Sequence, residues 1–560
     1  MGLLKKTTKK PLKMTGRGGA ASAQSNLRPQ QVVKLPPCVG ECPSGNDIRG
    51  WITRIAQREK LGLSKEDAYD KAFATIVETN PFPSIMGRVC PHPCEAKCNR
   101  EGKDGGVAIN AMERFIGDWA LERKLELTKL ADAEPRSESV GVIGAGPAGL
   151  SFAYQMARRG YPVTVYEQFD KAGGMLFWGI PVYRLPRDIL QAEVDRIAAL
   201  GVEIKLNTKV GKDISVEELK SKHALIFMGI GAHKGRLMRV EGEQGPGVWT
   251  GTDYLNRVNG GEQVDVGKSV AVIGGGDTAI DAARVARRTG ADVTILYRRT
   301  RTEMPAIDTE VEDAFKEDIK IEFLVAPVGV KRDGEKLQAV VVQKMQLGEP
   351  DSSGRRRPVP IEGSEYDISI DTLIAAISQE PDWDPIPELG PEKRWLEADD
   401  NGKVKGKLYA GGDVLDLGVA TTAVLHGRRA AEAAHAELRG QEFRRPAERP
   451  PIPLERIKLS YYDEKPKAEG AHRPVEEWLG KADDEIALGI TDEQFLEEAS
   501  RCFSCGLCFG CERCWMYCTP GCFIKQPQIT EGSYYTVKID TCDGCKKCVD
   551  ECPCGYLDMI

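Results

Sequence analysis

The chain has 560 residues, too many for a single hydrophobic core, so three or four domains are expected. A formal charge of -7 excludes general nucleic-acid binding and suits a soluble protein. Its 17 cysteines are clustered: five fall between Cys38 and Cys98, none follows until Cys502, and the other twelve lie from there onward. Such clustering reads as metal ligation, and with no recognisable signal peptide it points to a reducing cytoplasm.

In chain order, residues 1–35 form a basic arm with eight Lys or Arg and no acid. It reads as a flexible solvated tail or as a docking segment for an acidic partner. Residues 36–135 carry Cys38, Cys42, Cys90, Cys94 and Cys98. Residues 140–157 hold no charge, but their glycines and Pro147 favour a strand–turn–helix over a membrane span, so no membrane insertion is expected. Gly144 would make the turn, Gly146 would let the backbone approach a pyrophosphate, and Gly149 would allow close helix–strand packing, with Ala145, Pro147 and Ala148 between them. The next strand, Val163–Glu167, ends in an acid suited to a ribose hydroxyl. Gly174 and Met175 are placed on the same cofactor surface.

A second copy follows at Gly274, Gly275, Gly276, Asp277, Thr278 and Ala279. Its next strand ends in Arg298-Arg299, which suits the 2′-phosphate of NADPH, with a domain-seam salt bridge as the competing reading. A later strand reaches Gly411-Gly412-Asp413, with Thr422 opening an alanine-rich helix, as the ribityl and pyrophosphate side of FAD requires. The expectation is an α/β chain with one mononucleotide domain nested in another: FAD on 136–260 and 375–440, NAD(P) on 261–374. No cysteine lies between Cys98 and Cys502. The redox pair of flavoprotein disulfide reductases is therefore missing, and electrons must leave the flavin another way.

Residues 441–500 are Pro-rich and then acidic, a wrapped connector with a Thr491-x-x-Gln494 capping box before a helix running into Arg501. Residues 501–560 read as a ferredoxin-like domain with two runs of matching rhythm. One [4Fe-4S] cluster would take Cys508, Cys511, Cys514 and Cys552, and the other Cys542, Cys545, Cys548 and Cys518. Zinc knuckles or disulfides would need no doubled rhythm. Cys502, Cys505, Cys522 and Cys554 fall outside it. They are a slipped register, a third metal site or buried thiols.

The stretches Thr79-Asn-Pro-Phe-Pro, Gly87-Arg-Val-Cys90-Pro-His-Pro-Cys94-Glu-Ala-Lys-Cys98, Gly179-Ile-Pro-Val-Tyr-Arg-Leu-Pro, Gly274–Asp281, Tyr297-Arg-Arg with Met304-Pro305, and Gly411–Asp413 together resemble one family. It is that of the small (beta) subunit of NADPH-dependent glutamate synthase, a module also found in dihydropyrimidine dehydrogenase and in a bifurcating ferredoxin:NADP transhydrogenase. The tail is similar to the versions that feed other subunits, namely the DsrL-type partners of dissimilatory sulfite reductase and the nicotinamide-linked subunits of 2-oxoacid:ferredoxin oxidoreductases. The resemblance implies an all-α N-terminal Fe-S domain whose cluster takes Cys42, Cys90, Cys94 and Glu113. Relatives begin with a further Cys-x2-Cys that this chain lacks, leaving Cys38 and Cys98 as vestiges of a lost cluster or as alternative ligands. The implied enzyme is an NAD(P)H-dependent iron–sulfur flavoprotein with FAD, NADPH or NADH, and three [4Fe-4S] clusters. It would act with a redox partner protein as a homodimer or hetero-oligomer. The competing readings are a non-catalytic wiring subunit and a redox sensor.

Overall fold

The computed structural model describes residues 25–352, 354–391, 394–445 and 447–560, so most of the basic arm, residues 1–24, lies outside the described residues. Four longer helices, Ile48–Ala56, Lys65–Val77, Pro83–Val89 and Ile109–Glu122, build an all-α unit. Ser64 caps the second by accepting the Asp67 N–H at 3.0 Å, which pairs one of the amides a helix start leaves open. Ile109, Met112, Ile116 and Ala120, spaced by three and four, turn inward and pack with Trp51, Tyr69, Phe73 and Phe82. The last two helices cross at glycines. A Cβ on Gly87 would fall 2.3 Å from the Arg114 nitrogen, and one on Gly117 2.2 Å from the Ser84 nitrogen. The crossing holds Glu113, next to Arg114, level with the segment that carries Cys90.

The first nucleotide-binding sheet has six strands, in the order Lys403–Lys405, Leu408–Ala410, Leu225–Met228, Val140–Ile143, Val163–Tyr166 and Val202–Lys205. All but the first pairing are parallel. Every residue of Val140–Ile143 and Leu225–Met228 is buried, as in a parallel sheet covered on both faces. The second sheet runs Lys320–Phe323, Asp292–Tyr297, Ser269–Ile273, Thr372–Ala375, Val248–Thr250. Its last member corrects the expected boundary. Val248–Thr250 pairs in parallel with Leu373–Ala375, so the second unit begins near residue 248 and not at 261. A three-residue strand is too short to show a period, and only its hydrogen-bond partner assigns it. Strands between Val325 and Ser369 also form an antiparallel sheet that the sequence reading did not anticipate.

The two ends of the chain meet. Pro29–Gln31 pairs antiparallel with Leu557–Met559, and Lys34 Nζ lies 2.9 Å from Asp558. The stretch from Pro29 is therefore an edge strand and not a free arm. The connector is stitched down as well. Trp478 and Ile486 enter the core of the second nucleotide-binding unit, and Glu485 pairs with Arg88 at 2.8 Å and Arg114 at 3.0 Å. Thr491 and Gln494 form the capping box of the helix Asp492–Arg501. At its end Arg501, 1% exposed, bonds Glu498 at 2.5 Å and the carbonyls of Gly105 at 2.8 Å and Gly106 at 3.2 Å. Glu498 in turn accepts the Ala108 N–H at 2.7 Å, at the start of the helix Ile109–Glu122. Among the described residues no helix is long and apolar enough to cross a membrane.

Replacing Arg501 by Ala leaves Glu498 a buried charge without its guanidinium. We expect a loss of about 3–5 kcal/mol in chemical unfolding, with Arg501→Lys restoring only part because an ammonium lacks the planar fork. An unchanged unfolding midpoint for Arg501→Ala would contradict this.

Candidate functional site

After Val140–Ile143 the backbone turns at Gly144 with φ 95°, a conformation that favours glycine. The helix Pro147–Ala157 then starts at Gly146, with Pro147 in its first turn. Glu167, 4% exposed, braces the turn: Oε2 accepts the Ala145 N–H at 2.7 Å and Oε1 the Phe169 N–H at 3.0 Å. Burial raises its pKa while those N–H groups pull it back. Its remaining lone pairs face a cavity of about 310 Å³. Gly144, Gly146, Pro147, Ala148, Glu167, Gly174, Met175, Gly412 and Asp413 all line it. Ala145 and Gly149 support the turn from beneath. Thr422 is not in the wall; its helix instead presents Ala420 and Ala423, three residues apart. His233 also lines the cavity, with Nδ1 unpartnered, and burial takes its pKa down to about 4, so the ring is neutral near pH 7. A helix start offering N–H groups and an unpaired buried ring nitrogen fit the polar parts of a dinucleotide. His233, Lys209 and Gln379 were missed from the sequence because no spacing marks them.

A second cavity, of about 690 Å³, opens on Gly274, Gly275, Gly276, Asp277 and Thr278, while Ala279 packs beneath the turn. Arg298 and Arg299 both reach its wall but differ in character. Arg299, 5% exposed, is committed to Asp351 at 2.7 Å and to the Arg356 carbonyl at 2.8 Å. Arg298 is exposed, and burial of part of its side chain, then the neighbouring charges of Arg299 and Arg355, lower its pKa. Arg236, Arg239 and Arg355 line the same cavity. The two cavities share Asp277, Thr278, Gln379, Asp413 and Gly418. Asp413, pushed up to about 6 by burial, accepts the Gly418 N–H at 3.2 Å at that seam. A shared wall is what direct transfer between two bound rings requires.

The thiols fall into separate sets. Cys42, Cys90 and Cys94 each feel the charge of Glu113, whose Oε1 accepts from Asn80 Nδ2 at 2.8 Å and whose burial lifts its pKa to about 7. Cys90 Sγ lies 3.7 Å from Thr421 Oγ1, and its neighbours Val89 and Pro91 line the first cavity. Glu113 is not among the charges that act on Cys38 and Cys98, although Cys38 feels Cys94. In the tail, Cys508, Cys511, Cys514 and Cys552 surround one small cavity, and Cys518, Cys542, Cys545 and Cys548 another. Cys554 joins the first, 3.9 Å from Cys552 Sγ, and Cys522 joins the second. Among the described residues no three His, Cys, Asp or Glu side chains converge tightly enough for a single metal ion.

With Glu113 facing three thiols, Glu113→Ala is expected to lower bound iron by about four atoms, one cube. Glu113→Cys should keep the iron and change the EPR signal of one cluster only. Unaltered iron and spectra in both variants would remove Glu113 from the site.

Comparison with known proteins agrees with this architecture. Residues 138–436 match the family model of the pyridine nucleotide-disulphide oxidoreductases, and residues 20–125 match that of dihydropyrimidine dehydrogenase domain II, 4Fe-4S cluster. The NADPH-Fe(3+) oxidoreductase subunit beta of Geobacter sulfurreducens is 37% identical over 514 residues, spanning 84% of this chain and 75% of the relative. The NADP(+)-dependent formate dehydrogenase subunit beta of Moorella thermoacetica is 38% identical over 456 residues, 76% of this chain and 63% of the relative. The glutamate synthase [NADPH] small chain of Azospirillum brasilense is 35% identical over 426 residues, 72% of this chain and 86% of the relative. With two nucleotide cavities sharing a wall and a thiol set against the first, this chain belongs to the pyridine nucleotide-disulphide oxidoreductase family as an NAD(P)H-dependent iron–sulfur flavoprotein oxidoreductase of the glutamate synthase small-chain type.

Proposed function

We propose that the chain is the NADPH-handling subunit of a larger redox enzyme and exchanges electrons with a separate partner polypeptide. The observation that carries this reading is the meeting of the two cavities at Asp277, Thr278, Gln379, Asp413 and Gly418, with Cys90 beside the first of them. FAD held in the first cavity would supply the chemistry, hydride exchange with a nicotinamide and single-electron exchange with iron–sulfur clusters. The protein supplies position. Glu167 holds the turn and would meet the ribose, Asp413 stands at the seam, and Cys42, Cys90, Cys94 and Glu113 would hold a cluster beside the first cavity. The eight thiols in the two tail runs would hold two more.

Relatives named as beta subunits and as small chains support a partner polypeptide. The sequence resemblance adds two candidate classes, a sulfite reductase and a 2-oxoacid oxidoreductase. A wiring-only subunit is disfavoured because both glycine turns and both cavities are intact. Anaerobic addition of NADPH should bleach the flavin band at about one equivalent, and native purification should bring a second subunit with the chain. A flavin left oxidised by excess NADPH would overturn the reading.

The NADPH preference rests on Arg298, since Arg299 is tied to Asp351. Arg298→Ala should raise the KM for NADPH roughly ten- to a hundredfold, as losing a charge-assisted phosphate contact does, and leave that for NADH nearly unchanged. Arg299→Ala should instead weaken both coenzymes alike and lower stability, because the buried ion pair with Asp351 is lost. A coenzyme-selective effect at Arg299 and none at Arg298 would reverse the assignment.

A further inference from the structure

Four of the six cysteines left over by the sequence reading, Cys38, Cys98, Cys502 and Cys505, lie together. The helix Pro37–Gly40, with Cys38, packs against the helix Pro93–Ala96, which leads into Cys98. Cys98, Cys502 and Cys505 are ionisable neighbours of Cys38, and Cys98 is a neighbour of both Cys502 and Cys505. Asn99, next to Cys98, directs Nδ2 at Cys505 Sγ from 3.5 Å, and Ser504 bonds Thr53 at 2.8 Å. The Arg501 anchor delivers this segment to the helical unit.

The Cys502-Phe-Ser-Cys505 loop has the shape of the tail loops. In Cys508-Phe-Gly510-Cys511 and Cys542-Asp-Gly544-Cys545 the second intervening residue is left-handed, with φ 67° and 74°. Ser504 occupies the same position with φ 50°, although a serine gains nothing locally from that conformation. In both Cys502 and Cys542 the N–H of that residue donates back to the first sulfur, at 3.4 Å from Ser504 and 3.5 Å from Gly544. The turn that aims two thiolates at one cube is thus built at Cys502–Cys505 without the glycine that would make it easy.

A second observation concerns charge. Arg49, 2% exposed, gives Nη1 to the carbonyls of Lys34 at 2.5 Å and Cys505 at 2.9 Å, and its Nε has no partner. No carboxylate pairs with it among the described residues. A buried guanidinium without an anion is costly. A thiolate-bound iron–sulfur cube carries net negative charge and would supply the missing counter-ion at that place.

We propose that Cys38, Cys98, Cys502 and Cys505 jointly hold a further [4Fe-4S] cluster, its ligands drawn equally from the two ends of the chain. The cluster lies between the others along the chain. Cys38 precedes Cys42 by four residues, Cys98 follows Cys94 by the same interval, and Cys505 is three residues from Cys508. It joins the flavin-side set to the first tail set.

Iron content tests this without reference to NADPH oxidation, so its failure is separable from failure of the flavin reading. Anaerobically prepared full-length protein should hold about sixteen iron atoms and as many acid-labile sulfides, four per cube; about twelve would overturn the proposal. The double variants Cys38→Ala/Cys98→Ala and Cys502→Ala/Cys505→Ala should each lose about four and the same EPR component, and the quadruple variant should lose no more than either. Additive losses, or no loss from either pair, would refute a shared site. If a variant fails to fold, the iron count of the unmodified chain still decides.

Discussion

The guanidinium of Arg501 is the contact on which the arrangement of the rest depends. It is buried, and it satisfies a carboxylate and a turn of backbone carbonyls that no smaller cation could reach at once. Through Glu498 the same contact caps a helix of the N-terminal unit, so one ion pair fixes the end of the connector against a segment some four hundred residues earlier. Everything after Cys502 is positioned from that anchor. The terminal strand then closes the arrangement by pairing with Pro29–Gln31. A hydrogen bond from Lys34 Nζ to the Gly555 carbonyl, 521 residues away, shows how completely the ends are joined.

The nucleotide-binding core obeys a different constraint. Two parallel sheets each present a glycine turn at the carboxyl end of a strand, where helix N–H groups face a ligand. Their cavities can meet only if the second unit is inserted into the first, and the buried pair of Arg184 with Asp281 at 2.8 Å pins one unit to the other at the seam. Arg184 also lines the first cavity, so the same side chain holds the interface and shapes the site. Asp281 is pushed up to about 6 by burial even though that guanidinium pulls it back.

What was legible in the sequence was what is local. The two glycine turns, the Glu167 strand end and the capping box at Thr491 all act through neighbours at most some twenty residues away, and each is found in the structure. What was not legible depends on partners distant in sequence. The strand Val248–Thr250 is defined only by Thr372–Ala375, and Arg299 differs from Arg298 only because Asp351 is beside it. The Pro29 strand looked like a free arm because its partner is the last strand of the chain. Cys38 and Cys98, read as vestiges of a lost cluster or as alternative ligands, come near Cys502 and Cys505 only in the fold. Spacing announces a metal site when its ligands share a loop, and says nothing when they come from opposite ends.

The joining of the two ends also has a consequence in time. The helical unit leaves the ribosome before its neighbours at residues 502–560, which follow about four hundred residues after Cys98. At roughly 5–20 residues per second that is an interval of about 20–80 seconds. During it Cys38 and Cys98 face no partner thiols, the first strand has no mate, and the carbonyls of Gly105 and Gly106 await their guanidinium. The N-terminal unit is therefore born open and is closed only once residues 502–560 have been made, so maturation must either delay metal delivery or protect those thiols until then.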